Sequence, residues 1–283
     1  MNDSSTSTER RTSGSSTIES DRSTDLTEAP SGIRIVNPDT RYENARFVEP
    51  TTMGYIHIGA AVRPRRVPLT LLPPGRKKSQ LLGRLKELTD QLEQLDDVET
   101  TTVFDAVAIP PFERLPNVSD RRRSVPLPRF DVVVLVETSS PEVVTSVQES
   151  SVFGRLVELL ERDSKYTYVT TARNEKRLGD VDKSRDGLFI FNYFLADDAD
   201  RMLELFEYLA GWHVAETGLD NSTLLVPLDQ GASDYVAINN ARWDLRLPTF
   251  LWRQFSKRTF RTYVLANLRA NRAVAMPVLY RLA

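Results

Sequence analysis

A chain of 283 residues, 40% apolar and 27% charged, has the composition of a globular protein and the length for one large or two modest domains. Its formal net charge of −2 gives no general attraction to nucleic acid or to an acidic membrane surface. With no cysteine, thiolate catalysis, disulfides and cysteine-ligated metals are excluded. With only two histidines, His57 and His213, a His-rich zinc site lacks ligands.

Residues 1–32 are rich in Ser, Thr, Asp, Glu and Arg and nearly free of large apolar side chains. Such a segment cannot bury enough surface to offset its ordering entropy, so it reads as a disordered tail. The opening residues have no apolar core of a secretory signal, and no stretch approaches the ~20 apolar residues that span a bilayer. The expectation is a soluble, cytoplasmic protein with no membrane partner. Residues 33–52, with Ile33, Ile35, Val36, Phe47 and Val48, read as a surface arm.

From residue 53 the pattern becomes regular. Residues 54–62 alternate as a strand. After a proline- and arginine-rich loop, residues 79–95 place leucines at 81, 82, 85, 88, 92 and 95, the stripe of a helix with one buried face and Ser79 as a plausible N-cap. Residues 98–109 read as a strand stopped by Pro110-Pro111. A loop containing Arg121-Arg122-Arg123 leads to a strand over 130–137. Ser140-Pro141 opens a helix to about 162, and 166–173 is a strand. Residues 174–186 form a charged linker. The second half repeats the order: strand 187–195, helix 200–217, strands 222–228 and 234–244, helix 248–272 and strand 274–282. The fold class is therefore α+β, with two tandem ferredoxin-like βαββαβ units, residues 53–175 and 187–283. Each unit leaves one sheet face bare, and packing the two sheets together inside one chain covers both.

Three stretches of the second unit carry a resemblance: residues 188–194 (Leu-Phe-Ile-Phe-Asn-Tyr-Phe), residues 235–244 ending in Trp243-Asp244, and residues 276–282 with a Leu-Tyr step. This unit resembles the antibiotic biosynthesis monooxygenase-like group of the dimeric α/β-barrel superfamily. The resemblance implies a single-chain pseudodimeric barrel. It also implies a range of activities, from cofactor-free oxygenases of aromatic polyketides to haem-degrading and haem-dependent barrels and proteins without a known reaction. Fold alone does not choose among them.

Candidate site residues follow from local irregularities. Asn192 shares a strand face with Leu188, Ile190 and Phe194, and an amide among apolar side chains needs partners or costs about 1–3 kcal/mol. It reads as pointing into the barrel to hold an oxygen, or as a structural bridge. Asn239 and Asn240 are adjacent amides in a strand, against propensity. Trp243, paired with Asn in cofactor-free oxygenases of the resembled fold, and Arg242 are candidates to bind substrate, or Trp243 simply seals the barrel end. Tyr55 and His57 alternate with an Ile face that should pack on helices, so they face the interior as a possible acid and base. His213 lies near its helix's apolar stripe, a haem ligand or a partly buried histidine. The basic residues Arg253, Lys257, Arg258 and Arg261 read as a solvated face. No phosphate-binding glycine loop, dinucleotide fingerprint, HExxH or GxSxG occurs.

Three functions remain open. One is a cofactor-independent oxygenase holding a planar hydrophobic small molecule between the two sheets, with His57, Tyr55 and Asn192 catalytic and Asn239, Arg242 and Trp243 binding. Another is a non-catalytic small-molecule-binding or structural barrel, whose interior is filled by side chains. The third is a haem-binding tandem barrel with His213 as ligand. The expected partner is a small molecule, with no nucleic acid, in a monomer or homo-oligomer, and no cofactor outside the haem reading.

Overall fold

A computed structural model describes residues 27–28, 32–64, 74–115, 118 and 125–283. The tail expected over 1–32 and the Arg121–Arg123 run fall almost wholly outside them. The first half holds strand β1 (Gly54–Ala60), helix α1 (Arg76–Leu92), strands β2 (Val98–Ala108) and β3 (Val132–Thr138), helices α2 (Val144–Glu149) and α3 (Ser151–Asp163), and strand β4 (Thr167–Gly179). The second holds β5 (Leu188–Leu195), α4 (Ala199–Thr217), β6 (Ser222–Pro227), β7 (Ala237–Trp243), α5 (Leu247–Phe255), a π-helical turn over Phe260–Leu265, α6 (Ala266–Ala270) and β8 (Val274–Leu282).

The eight strands form one closed antiparallel barrel in the order β8-β2-β3-β1-β4-β6-β7-β5. Within each half the order is the ferredoxin-like one, fourth strand, first, third, second. The halves meet edge to edge. β4 pairs with β6, and β8 pairs with β2, so no edge is left open. The barrel expected from the sequence is present, and what the sequence did not show is how its two sheets join. The edges are hydrogen-bonded together, and the bare faces become the inner wall.

Local chemistry explains the smaller departures. α1 starts at Arg76 behind Gly75, so Ser79 lies inside the helix rather than capping it. The long helix expected after Pro141 is interrupted at Ser150, whose hydroxyl accepts from Phe153 N at 3.2 Å and so starts α3. β4 runs six residues beyond the expected end, because its charged extension pairs with β6.

Alternation sorts every strand into two faces. In β1, Ile56, Ile58 and Ala60 pack outward under α1–α3, in one apolar cluster with Leu85, Leu156 and Leu160. Tyr55 and His57 point inward, as the sequence predicts. Gly59 is small for a reason: a Cβ there would lie 2.7 Å from the Phe130 ring that fills one end of the barrel. The other end is closed by the linker between the halves, where Val181 joins the interior core and Lys183 pairs with the buried Glu137 at 3.1 Å.

Candidate functional site

The interior is a solid of rings. Phe104, Phe130, Phe189, Phe191, Tyr193, Tyr235 and Tyr280 are each under 2% exposed. Neighbouring centroids stand about 5–6 Å apart in edge-on and stacked pairs, such as Phe104–Phe191 at 5.1 Å and Tyr168–Tyr235 at 5.2 Å. The space expected to hold substrate between the halves is thus filled by side chains. His57 is embedded in this packing, fully buried, its Nε2 3.1 Å from the Tyr193 hydroxyl and its Nδ1 without a partner. Desolvation lowers the imidazole to about 3 and drives the Tyr193 phenol well above 10. A base that weak beside an acid that weak is poorly matched to proton transfer near neutral pH. Tyr55 lies at the linker end, 2.9 Å from the Thr51 hydroxyl, its phenol pushed up to about 12 by burial.

The other sequence candidates separate by face. Arg242 is on the inner side, at the linker end. Its guanidinium lies 5.9 Å from the Phe189 centroid and donates to Asp186 O and Asp244 Oδ1, each at 2.5 Å. Asn192, Asn239 and Trp243 are on the outer side, beneath the C-terminal helices. The expectation that Asn192 enters the barrel is corrected: its strand-face neighbours Ile190 and Phe194 pack into the helix-facing clusters, while Phe189, Phe191 and Tyr193 fill the interior.

On that outer face the two asparagines meet. Asn192 and Asn239 are register partners on β5 and β7, so their Cβ atoms stand about 5 Å apart. They mark a seam. Phe194, Leu205, Leu209, Leu224 and Ala237 form one apolar cluster to one side. Leu188, Ile190, Leu219, Ala241, Trp243 and Phe250 form another to the other side. The N-terminal half has a single cluster in the equivalent position. Asn192 Oδ1 is buried and has no hydrogen-bond partner, an arrangement that costs about 1–3 kcal/mol unless something else occupies the seam.

The turn between α4 and β6 grips the rest of the seam. Ser222 Oγ donates to Asn239 Oδ1 at 2.6 Å, which leaves the Asn239 amide NH2 as its free end. Thr217 Oγ1 accepts from Trp243 Nε1 at 3.2 Å and donates to His213 O at 2.6 Å. Asn221 brackets the backbone of Arg242, accepting from its N–H and donating to its C=O, both at 2.8 Å. Trp243 packs against Phe250 of α5 with ring centroids 4.8 Å apart and planes tilted by 60°. Beside it opens a cleft of about 310 Å³ lined by Thr217, Asn221, Arg242, Trp243, Asp244 and Arg253. Sequence reasoning missed Ser222, Thr217 and Asn221, because hydroxyl and amide residues at a turn carry no signal beyond the turn itself.

His213 lies on α4 one helical turn before Thr217 and one after Leu209, so it belongs to the sheet-facing stripe. Its ring meets Trp212 edge-on at 4.9 Å, and desolvation lowers it to about 4, a neutral imidazole. The 310 Å³ cleft does not reach His213, and neither do the two larger surface grooves, of about 500 and 610 Å³, that border α1. None of these clefts offers a porphyrin access to this imidazole, so the surroundings of His213 do not fit a haem site.

No family model matches the chain, and no curated protein matches it in sequence. Solved structures do match in shape. An anthrone oxidase-like protein superposes with a TM-score of 0.56 at 13% identity, covering 84% of this chain and 94% of its own. A protein assigned as a monooxygenase from Fusobacterium nucleatum subsp. nucleatum superposes with a TM-score of 0.50 at 5% identity, covering 83% of this chain and 94% of its own. At these identities the likeness is one of fold, a closed eight-stranded antiparallel barrel with helices packed on its outside.

Proposed function

We propose that the chain is a monooxygenase-like barrel that takes a planar, hydroxylated hydrophobic molecule between its C-terminal sheet and helices, and not inside the barrel. The observation that carries this reading is the orphaned, buried Oδ1 of Asn192 facing Asn239 across a seam in an otherwise apolar layer. The arrangement of the two halves as a fused pair around one barrel is part of the same proposal. The shape likeness to an anthrone oxidase-like protein supports the choice of chemistry.

None of the three clefts reaches Asn192 or Asn239, so in this reading the C-terminal helices part to admit the substrate, and Asn192 Oδ1 then accepts from a substrate hydroxyl. The Asn239 amide, held by Ser222, donates to a substrate oxygen whose negative charge grows as the substrate proton passes to a water molecule, since the seam itself supplies no base. Trp243, fixed through its Nε1, offers a flat apolar face. The deprotonated substrate passes an electron to O2. For an anthrone the balance is one O2 consumed, one ring CH2 converted to C=O, and one water released.

The test is oxygen uptake by the purified chain with anthrone and quinol substrates. Turnover is expected, with kcat falling about 10²-fold in Asn192→Ala and in Asn239→Ala, and by less than that in Tyr55→Phe. An absence of oxygen uptake across both substrate types rejects the oxygenase. The ring-filled interior favours a second reading, a non-catalytic barrel, and that outcome would leave it standing.

A further inference from the structure

The net charge conceals a steep asymmetry. From Leu245 to Ala283 the sequence has seven arginines and one lysine and no Asp or Glu, in a chain of net charge −2. Three of the eight are neutralised by carboxylates elsewhere: Lys257 by Glu216 at 3.0 Å, Arg272 by Asp197 at 2.7 Å and Arg281 by Asp105 at 3.2 Å. Of the other five, Arg269 lies on α6, and the four nearer α5, Arg246, Arg253, Arg258 and Arg261, have no carboxylate in ion-pair range among the described residues.

Helix α5 lies among those four arginines and shows two large apolar side chains to water. Trp252 is 67% exposed and Phe255 51% exposed, three residues apart and hence on one face. The opposite face buries Phe250 and Gln254. A tryptophan and a phenylalanine held in solvent and flanked by unpaired arginines match the chemistry of a headgroup boundary. There the rings enter the acyl edge and the guanidinium groups meet phosphate. No helix among the described residues is long and apolar enough to cross a membrane, so contact of this kind lies on the surface of the bilayer.

We propose that the α5 face carrying Trp252 and Phe255, with Arg246, Arg253, Arg258 and Arg261, docks on an anionic lipid surface. Arg253 shares its cleft with Asp180, Asp182, Asp220 and Asp244, so the attraction to anionic lipid falls mainly on Arg246, Arg258 and Arg261, which are exposed. A nucleic acid strand would need a basic groove tracking its backbone, whereas the basic residues here surround only two exposed rings. The proposal does not depend on the enzymatic reading.

Flotation of the full chain with vesicles tests it. The chain should float with phosphatidylcholine vesicles containing phosphatidylglycerol, stay in solution with phosphatidylcholine alone, and be released by salt. Trp212 is 0% and Trp243 6% exposed, so a blue shift of tryptophan emission on binding reports Trp252. The double variant Trp252→Ser/Phe255→Ser should lose flotation at an unchanged melting temperature. Arg258→Glu/Arg261→Glu, both at exposed positions, should weaken partitioning at least about tenfold. The proposal is overturned if the chain ignores phosphatidylglycerol, or if either double variant floats like the parent. Retention on a single-stranded oligonucleotide without vesicle binding overturns it too, as does a concentration-dependent dimer, abolished by the Trp252/Phe255 change, in a chain that binds no vesicles.

Discussion

At the scale of single residues, His57 shows what a packed interior does to a titratable group. Burial holds its folded pKa near 3, against 6.5 for the open chain. The fold therefore selects the neutral ring. Its contribution to stability is complete above pH ~6.5 and is lost as pH falls from there toward 3, because the unfolded chain takes up a proton that the fold refuses, at about 1.4 kcal/mol per pH unit. His213 acts in the same direction, down to about 4. Urea unfolding at pH 7 and at pH 5 should show a marked loss of stability in the parent and a smaller loss in His57→Phe; equal losses in the two chains would contradict the account. The inward position of His57 was legible because Ile56 and Ile58 make its strand visibly two-sided. Asn192 was not legible in that way. In β5 both faces are apolar, with Leu188, Ile190 and Phe194 on one and Phe189, Phe191 and Tyr193 on the other, so alternation alone could not say which face meets helices and which meets the partner half.

At the scale of elements, the arm over residues 33–52 is built, through its first part, to hold down the C-terminal helices. Asn271 accepts from Arg34 N at 2.7 Å and donates to Arg34 O at 2.8 Å. One turn earlier, Asn267 does the same for Val36, at 2.8 and 3.0 Å. Ile33 and Tyr42 bury their side chains beside α4 and α6, and Tyr42 donates to Glu216 at 2.9 Å. Gly211 of α4 lets the arm lie flush, since a Cβ there would fall 2.0 Å from Glu43 O. The double variant Asn267→Ala/Asn271→Ala loses four backbone contacts, and a destabilisation of about 2–4 kcal/mol is expected, with faster tryptic cleavage at Arg41 or Arg46. An unchanged cleavage rate would show that the arm is held by something else. The sequence marked this arm by its few apolar residues, but its clamp sits more than 230 positions away, beyond any local pattern. The expected single helix over 248–272 likewise proves to be α5, a π-helical turn and α6. Its apolar positions are continuous, but the break at Ser256-Lys257 and the π-helical turn over Phe260–Leu265 both shift their phase.

At the scale of the whole molecule, closure of the barrel makes each half depend on the other. The βαββαβ order was readable twice over, because each strand and helix carries its own period and punctuation. The joining of edges was not, since the charged residues of the β4 extension look like a linker until β6 is beside them. A chain of residues 187–283 alone would expose the free edges of β6 and β8 and the ring-covered inner face. It should self-associate or aggregate, and a stable monomer in gel filtration would contradict the dependence. The central claim, that ligand chemistry belongs to the outer seam and the interior is core, is tested most directly by NMR of the full chain titrated with a soluble quinol. The account predicts shifts of the Asn192 and Asn239 side-chain amides and of the Trp243 indole N–H, while the His57 ring and the Tyr193 signals stay in place. Shifts centred on His57 and Tyr193, with the asparagines silent, would contradict it.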